Sequence, residues 1–426
     1  MDQPSPRAQA ELTAPGSVGV PLSFHGWRIV SASFVIQFMA MGTTFYAFGV
    51  LLKPLAEELS ASRFAIGSVL PMMMLTQALF GPLIGREVDR RGARTLMLLG
   101  TVCMAAGFLA MSQIDSLLGL YLTFGVLVAL GLALLGPLPN TALVAAWFQR
   151  ARGTALGISQ IGVSLSGLFM AYLTTWLVVE FGWRTTILYF AVVPIAVVLP
   201  VVVLVIVNRP QDRGLLPDGA TNEDPDLAPA PPAQGSLRDA LRERDLWLIA
   251  FVMGLNFAGS GAVIQVIHSH VTDLGHSVTR AASVLGLMAG MAALGKPAFG
   301  RLADRISARK AMALATALQA VGLISILLAP GYATLLGASL VFGLGFGGLL
   351  PLFGLLLAAR FGATQLGRMM GAAGPVMLPF QLLGLPFVTS VFDRTGSYTP
   401  AFLTFLVFYA IALAVLTRLP GDPVEA

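Results

Sequence analysis

The sequence predicts an all-α membrane protein with twelve transmembrane helices in two pseudo-symmetric six-helix halves. Three observations lead to this prediction: the composition, the number of long apolar stretches, and a charged turn that occurs twice. Of the 426 residues, 56% are hydrophobic and only 11% are charged. Soluble globular proteins have about 25% charged residues. Such sparse charge cannot cover a water-exposed surface, which argues against one large soluble helical domain.

Twelve apolar stretches are long enough to cross a bilayer as helices, which takes about 20 residues each. Helices are expected because lipid cannot satisfy the hydrogen bonds of exposed backbone groups. The predicted segments are 27–52, 64–85, 95–113, 117–147, 153–179, 184–207, 246–270, 278–300, 311–329, 333–358, 369–392 and 400–417. The fourth segment is expected to be broken or kinked, because it contains Gly131, Gly136, Pro137, Pro139 and Asn140. The eleventh is expected to break at Pro375, Pro379 and Pro386.

A charged turn follows the second segment and recurs after the eighth. Four of its residues recur 215 positions later: Gly85, Asp89, Arg90 and Arg94 in the first copy, and Gly300, Asp304, Arg305 and Arg309 in the second. The glycine permits close helix contact. The aspartate suits a helix N-terminus, where the helix dipole favours a carboxylate. The repetition predicts two related halves and favours a conformational role for the turn over that of a solvated loop.

The chain divides into five predicted regions. They are a disordered tail, an N-terminal six-helix half, a charged Pro-rich linker, a C-terminal six-helix half and a second tail, at 1–24, 25–207, 208–244, 245–418 and 419–426. The first tail lacks the basic segment and short apolar core of a signal peptide. Within the linker, Leu237–Asp245 is predicted to form a short amphipathic helix on the membrane surface.

Basic residues are distributed unevenly across the two sides of this map. Five of the 26 Lys and Arg residues fall on one side, namely Lys53, Arg63, Arg184, Arg280 and Arg394. All others except Lys296 fall on the opposite side, which is predicted to be cytoplasmic because basic residues collect in cytoplasmic loops. Both termini and the linker are then inside, in a multi-pass protein of the plasma (inner) membrane. The net charge of +5 comes from this inner surface, which faces anionic lipid headgroups. The sequence has no basic stripe with interleaved aromatic residues, so nucleic-acid binding is not expected.

Lys296 is the only charged residue that lies clearly inside a predicted transmembrane segment. An intramembrane charge is costly and usually faces a cavity or a partner. No carboxylate stands one helical turn away, at 292, 293, 299 or 300. We therefore expect an anion to bind Lys296. The alternative is that the side chain extends to the interface near Arg301, about 7 Å along the helix.

Other polar residues of the predicted helices are weaker candidates. Tyr46, Asn256 and Gln265 are expected to help Lys296 hold the anion. His268 and His270 are candidates for a proton relay or gate, with hydrogen bonding at the interface as the alternative. Their two-residue spacing points the side chains apart on a helix, which argues against a shared metal site. We expect no metal, no cofactor and no catalytic residue, because the single cysteine and the peripheral acids form no reactive cluster.

The doubled Gly-x-x-x-Asp-Arg turn, the two halves and the charged linker resemble the major facilitator superfamily over residues 25–418. A narrower likeness, to monocarboxylate transporters and oxalate–formate antiporters, rests on Trp27-Arg28, the stretch 48–55 and Lys296-Pro297. In that branch a cation of the eighth helix binds the substrate carboxylate, so the resemblance implies this role for Lys296. Animal monocarboxylate transporters carry a lysine and an aspartate where this chain has Tyr46 and Ala292.

The sequence thus predicts a secondary active transporter of a small monocarboxylate similar to lactate or pyruvate. A single buried cation favours a monoanion, because a dianion would leave a net negative charge in a low-dielectric site. Proton symport is predicted, since desolvation disfavours a charged lysine and a bound anion favours it. Anion exchange is the alternative within this class. A drug or metabolite efflux carrier and a transport-inactive sensor are the other interpretations. The expected partners of a monomeric protein are the anion, protons and lipids.

Overall fold

The computed structural model describes residues 20–21, 23–61, 63–219, 237–329 and 331–419. The described residues form helices joined by short turns, without strands. Most of both predicted tails and the central part of the linker, residues 220–236, lie outside the described residues.

In the described parts of the chain the long helices group into twelve segments. We label them α1 (His25–Met41, the π-helical Gly42–Tyr46 and Ala47–Glu58), α2 (Val69–Arg91), α3 (Ala93–Met111), α4 (Leu117–Trp147), α5 (152–181), α6 (183–204), α7 (Arg244–Asp273), α8 (Val278–Ala303), α9 (Ala308–Leu327), α10 (Tyr332–Phe361), α11 (Leu366–Thr395) and α12 (Thr399–Leu416). Ten stretches among the described residues are long and apolar enough to cross a membrane.

The boundary between α5 and α6 is a kink rather than a loop. Helical hydrogen bonding continues from Arg152 to Val193, but Gly182 has a φ of 76° within this run. This left-handed conformation is accessible to glycine because it has no Cβ. The two helices meet at Gly182 without an intervening turn segment, so the predicted gap at 180–183 is shorter than expected.

Prolines affect α4 and α11 differently. At Gly136 the backbone of α4 is extended (φ −82°, ψ −158°), and Pro137 begins the next helical stretch, as the sequence predicts. By contrast, α11 continues through its three prolines, so the predicted break in this helix is wrong. Each proline removes one backbone donor, and helices packed inside a membrane protein tolerate this loss because neighbouring groups compensate.

The two halves meet along two helix pairs, α2 with α11 and α5 with α8. Both pairs contain one of the charged turns, and both turns lie at the same end of the bundle as residues 208–219. We call this the linker end. The linker helix predicted at Leu237–Asp245 is shorter, Leu237–Arg242, because α7 starts two residues later and includes Arg244 and Asp245.

Candidate functional site

At the α2–α11 contact, Asp89 binds the N-terminus of a helix from the other half. Its Oδ1 accepts a hydrogen bond from the backbone N of Gly367 (2.9 Å), and its Oδ2 accepts one from the backbone N of Arg368 (2.7 Å). Gly85 allows this approach, because a Cβ there would lie only 2.0 Å from the carbonyl oxygen of Gly367. The carboxylate also meets the positive end of the α11 dipole.

The α5–α8 contact repeats this arrangement with the second turn. Asp304 Oδ1 accepts from the Gly153 backbone N (2.6 Å), and Oδ2 accepts from the backbone N (2.8 Å) and the hydroxyl (2.7 Å) of Thr154. A Cβ at Gly300 would lie 2.0 Å from the oxygen of Gly153. Burial raises the pKa of the Asp304 carboxyl above its usual value, while the bonds from Thr154 and Gly153 and the charge of Arg152 lower it. These groups therefore compensate only part of the cost of burying the carboxylate.

The arginines of the two turns hold the linker end in a similar way. Arg94 donates to the carbonyl of Val203 (2.7 Å) at the end of α6, and Arg309 donates to the carbonyl of Leu419 (2.7 Å) beyond α12. Each arginine thus ties its turn to the last helix of its own half. Arg90 forms an exposed ion pair of 3.5 Å with the preceding turn of α2, and Arg305 is exposed. Such exposed charges contribute little to stability.

Lys296 lies at the boundary between the halves. Its side chain is only 6% exposed, and its Nζ donates a 2.8 Å hydrogen bond to the backbone oxygen of Gln160 in α5. In the described parts of the chain it has no carboxylate partner. Gly157 makes room for the α8 backbone, because a Cβ there would lie 2.5 Å from the oxygen of Lys296. The ammonium therefore reaches across the α5–α8 contact.

A buried polar cluster in the N-terminal half surrounds the point on α5 that Lys296 reaches. Gln37 of α1 donates to the oxygen of Ser159 (3.2 Å), the residue next to Gln160. Ser33 of α1 donates to Asn140 Oδ1 of α4 (2.6 Å). Each of these side chains is at most 1% exposed. Together they connect α1, α4 and α5.

Two side-chain oxygens of this cluster lack hydrogen-bond partners. Gln37 Oε1 and Gln160 Oε1 are buried without one, although Gln160 Nε2 donates to Thr141 (3.4 Å). Buried polar groups are nearly always hydrogen-bonded, so these oxygens are suited to binding water or a ligand. Sequence reasoning missed Gln160 as a site residue. The available signal was its amide within an apolar segment.

Tyr46 lies farther along the same face of α5. It ends the π-helical turn of α1, and its ring packs over Gly167, where a Cβ would be 2.7 Å from the ring. The ring is 37% exposed. Gly167 is seven residues beyond Gln160, which corresponds to about 10 Å of helix. Lys296 and Tyr46 thus contact one helix two turns apart.

Asn256 and Gln265 make their hydrogen bonds within the C-terminal half. Asn256 is fully buried, and its Oδ1 accepts from Thr316 (3.1 Å) and Gln319 (3.4 Å) of α9. Gln319 also accepts a hydrogen bond from Ser260, so the cluster connects α7 with α9 inside the C-terminal half. Gln265 is exposed and donates to the carbonyl one turn earlier in α7.

The two histidines of α7 have different surroundings. His270 is 8% exposed and packs edge-on against Tyr398 and Phe402, with ring centroids 5.8 and 5.2 Å away. Its Nε2 is buried without a hydrogen-bond partner. His268 is half-buried. Both lie at the end of α7 opposite the linker end, remote along the helix from the level of Asn256.

A cavity of about 250 Å³ lies between the halves, beside the α2–α11 contact. Its lining is mostly apolar with two amides, and it includes Met74, Gln77, Leu138, Phe257, Phe353 and Gln381. Lys296 does not line this cavity. Helix α4 is near both the cavity and the partner of Lys296. Leu138 lines the cavity, and Thr141, one turn later, accepts a hydrogen bond from Gln160.

Comparisons with known proteins agree with this architecture. The chain is 28% identical to mouse (Mus musculus) monocarboxylate transporter 11 over 421 residues, covering 95% of this chain and 90% of the relative. It is 27% identical to bovine (Bos taurus) monocarboxylate transporter 13, covering 93% and 89%. The solved structure of the human organic anion transporter MFSD10 matches with a TM-score of 0.69 at 17% identity, covering 92% of this chain and 99% of that chain. The transporter FucP, solved in the outward conformation, matches with a TM-score of 0.71 at 14% identity, covering 93% and 99%.

The family model of the Major Facilitator Superfamily matches residues 33–377 and 246–426. These matches extend across both halves and include both charged turns. With two helix bundles joined at the α2–α11 and α5–α8 contacts, the chain belongs to the major facilitator superfamily of membrane transporters.

Proposed function

We propose that the protein is a secondary active transporter that moves a small monocarboxylate anion across the cytoplasmic membrane by alternating access, with proton symport. The observation that carries this proposal is Lys296, a buried basic side chain at the boundary between the halves. The similarity to monocarboxylate transporters over nearly the whole chain supports the same substrate class.

Lys296 is proposed to bind the carboxylate. In the structure its ammonium donates to a neutral carbonyl oxygen. A carboxylate forms a shorter and stronger hydrogen bond with an ammonium than a neutral carbonyl does. An anion that reaches Lys296 therefore competes with Gln160 for the same donor. Binding would loosen a bond between α5 and α8, which links occupancy of the site to separation of the halves.

The contacts of Asp89 and Asp304 are proposed to close the linker end and to break when it opens. Both carboxylates bind backbone amides of the opposite half, so opening must separate them. The distribution of basic residues supports placing the linker end in the cytoplasm. The anion would then enter from the opposite side of the membrane in this state.

The remaining candidates support the site to different degrees. Tyr46 contacts the same helix as Lys296 and keeps its proposed role near the anion. For Asn256, a contact with substrate would require its bonds to α9 to break. Its role and that of Gln265 stay predictions, as does a proton relay through His268 and His270.

Anion exchange is a second candidate mechanism, favoured by one observation. The Lys296–Gln160 bond joins the halves, so a carrier that changes state with its lysine charged must offer this ammonium another acceptor, which a bound anion supplies. Exchange requires only loaded carriers to change state. Symport requires the lysine to lose its proton when empty.

The experiment that tests the proposed function is uptake of labelled lactate or pyruvate into liposomes that contain the purified protein. We expect saturable uptake that unlabelled monocarboxylates inhibit. Protein-free liposomes are the control. Absence of any monocarboxylate uptake by folded protein, under a proton gradient and after preloading with anion, would contradict the proposal.

A further inference from the structure

The first part of the linker folds back against the N-terminal half. Asn208 accepts a hydrogen bond from the backbone N of Arg94 (2.9 Å), and residues Pro210–Arg213 form a 3-10 turn. Pro217 and Asp218 are buried, although they belong to a segment rich in charge and proline. This part of the linker is therefore packed onto the helices rather than extended from them.

Asp218 binds the loop that leads into α5. Its Oδ2 accepts hydrogen bonds from the backbone N of Gln149 (2.9 Å) and Arg150 (2.8 Å), and its Oδ1 accepts a longer one from Ala151 (3.4 Å). Its φ is 58°. A residue with a side chain adopts this left-handed conformation at an energetic cost, so the surrounding contacts must hold it there.

The next amides along the chain bind the carboxylate of the other half. Asp304 accepts from the backbone N of Gly153 and Thr154. Between the two groups lies Arg152, which is half-buried and whose charge interacts with both Asp218 and Asp304. The entrance to α5 is thus shared by two carboxylates, one from the linker and one from α8.

The α2–α11 contact is not built in this way. Asp89 accepts from the amides of Gly367 and Arg368, and the position that corresponds to Arg152 is the apolar Leu366. The turn before it, Ala363–Gln365, is a short 3-10 helix. Asp218 therefore supports the α5–α8 contact and not the related α2–α11 contact.

We propose that Asp218 is a positioning residue for alternating access, which fixes the start of α5 so that its amides meet Asp304 when the linker end closes. Asp218 is attached to the N-terminal half and moves with α5, whereas Asp304 belongs to the other half and must leave. Without Asp218 the loop 149–151 loses its bonds, and the amides of Gly153 and Thr154 are held less firmly for Asp304. The closed state then loses population relative to the open state. This inference rests on the proposed alternating access but not on the identity of the substrate.

The test measures the distance between spin labels on Arg86→Cys and Lys310→Cys in a Cys103→Ala background, without substrate. These exposed positions lie at the linker end of different halves. We expect Asp218→Asn to lower the ratio of closed to open molecules about fivefold or more. Asp218→Gly relieves the left-handed backbone and also removes the carboxylate, so it should lower the ratio too. If the role of Asp218 were only to form the turn, the glycine variant would behave like the parent.

A matched control and a double variant locate the effect. Asp212→Asn removes the same charge from an exposed linker position that caps the turn at Arg209 and should leave the ratio unchanged. In a protein that carries Asp304→Asn, Asp218→Asn should not lower the ratio further, because both substitutions act on the α5–α8 contact. In a protein that carries Asp89→Asn, Asp218→Asn should lower the ratio further. An unchanged ratio in a folded Asn or Gly variant, or an equal change in the Asp212 variant, would overturn the proposal. Since no substrate is used, failure of monocarboxylate transport would leave this result intact.

Discussion

The ammonium of Lys296 donates a 2.8 Å hydrogen bond to the backbone oxygen of Gln160, across the boundary between the two halves of the transporter. Its partner is a neutral oxygen, so the positive charge is not neutralised within the described parts of the chain. This relationship explains how an intramembrane lysine can be held in place and still attract an anion. It also makes Lys296 the first residue to test.

Replacement of Lys296 should abolish or strongly reduce uptake of a monocarboxylate. Loss of one charge-assisted hydrogen bond costs about 1.5–3 kcal/mol, which corresponds to binding that is about 10- to 150-fold weaker. Lys296→Arg should retain part of the binding, because it keeps the charge but changes its geometry. The control is Lys310→Ala at the exposed linker end. Uptake at the parental level by a folded Lys296→Ala protein would exclude the proposed role.

The substrate should carry a single carboxylate. A dianion at one buried cation leaves a net negative charge whose burial costs several kcal/mol. Lactate and pyruvate should therefore compete for uptake better than oxalate or succinate at neutral pH. The measurement is the concentration of each anion that halves uptake of a labelled monocarboxylate. Stronger inhibition by the dianions would point to a second positive group in the site.

Gly300→Ala should prevent full closure of the linker end. A Cβ at this position would lie 2.0 Å from the oxygen of Gly153, and the backbone of α5 cannot move without disturbing the bonds of Asp304. The same change at Gly290 of α8 is the matched control, because no atom lies within 4 Å of the added Cβ. Spin-label distances across the linker end should lengthen only in the Gly300 variant. Equal distances in the two variants would argue against this close contact.

The linker end should face the cytoplasm. A cysteine introduced at Gln211 in a Cys103→Ala background should resist a membrane-impermeant thiol reagent in intact cells and react after lysis. Gln113→Cys, in the α3–α4 turn at the other end, should react in intact cells. Both positions are exposed in the structure, so access depends on the side of the membrane. The opposite labelling pattern would invert the proposed orientation.

Uptake should depend on a proton gradient. In anion-free liposomes with an inward proton gradient, we expect accumulation that a protonophore abolishes. Uptake that occurs only after preloading with a monocarboxylate, and that does not depend on the proton gradient, would establish exchange instead. In a His268→Gln, His270→Gln double variant, a persistent gradient effect would exclude the histidines as the required proton carrier.

Much of the fold follows from local features of the sequence. Long apolar stretches predict the helices, and the turn at Gly85 recurs at Gly300, which predicts the pairing of two halves. Proline gave a less reliable signal: the break near Gly136 is present, but α11 continues through its prolines. A single lost donor need not end a helix whose neighbours hold it in place.

The site was less predictable, for two physical reasons. The partner of Lys296 is a backbone oxygen, and backbone atoms leave no signature in a sequence. A polar residue in a helix also does not reveal which neighbour it faces. Asn256 resembles a cavity residue by composition, yet it bonds to α9 within its own half. Similarly, the charge and proline content of the linker gave no sign that Asp218 is buried.

The glycine contacts at the linker end have a consequence for how easily the halves come apart. At Gly85–Gly367 and Gly153–Gly300 the backbones of the two halves are in direct contact. Because glycine has no side chain, these contacts can separate and rejoin without a rotamer change at the touching residues. The hydrogen bonds of Asp89 and Asp304 then contribute directly to the resistance to opening. Changes of single polar atoms at these contacts should therefore change the rate at which the linker end opens.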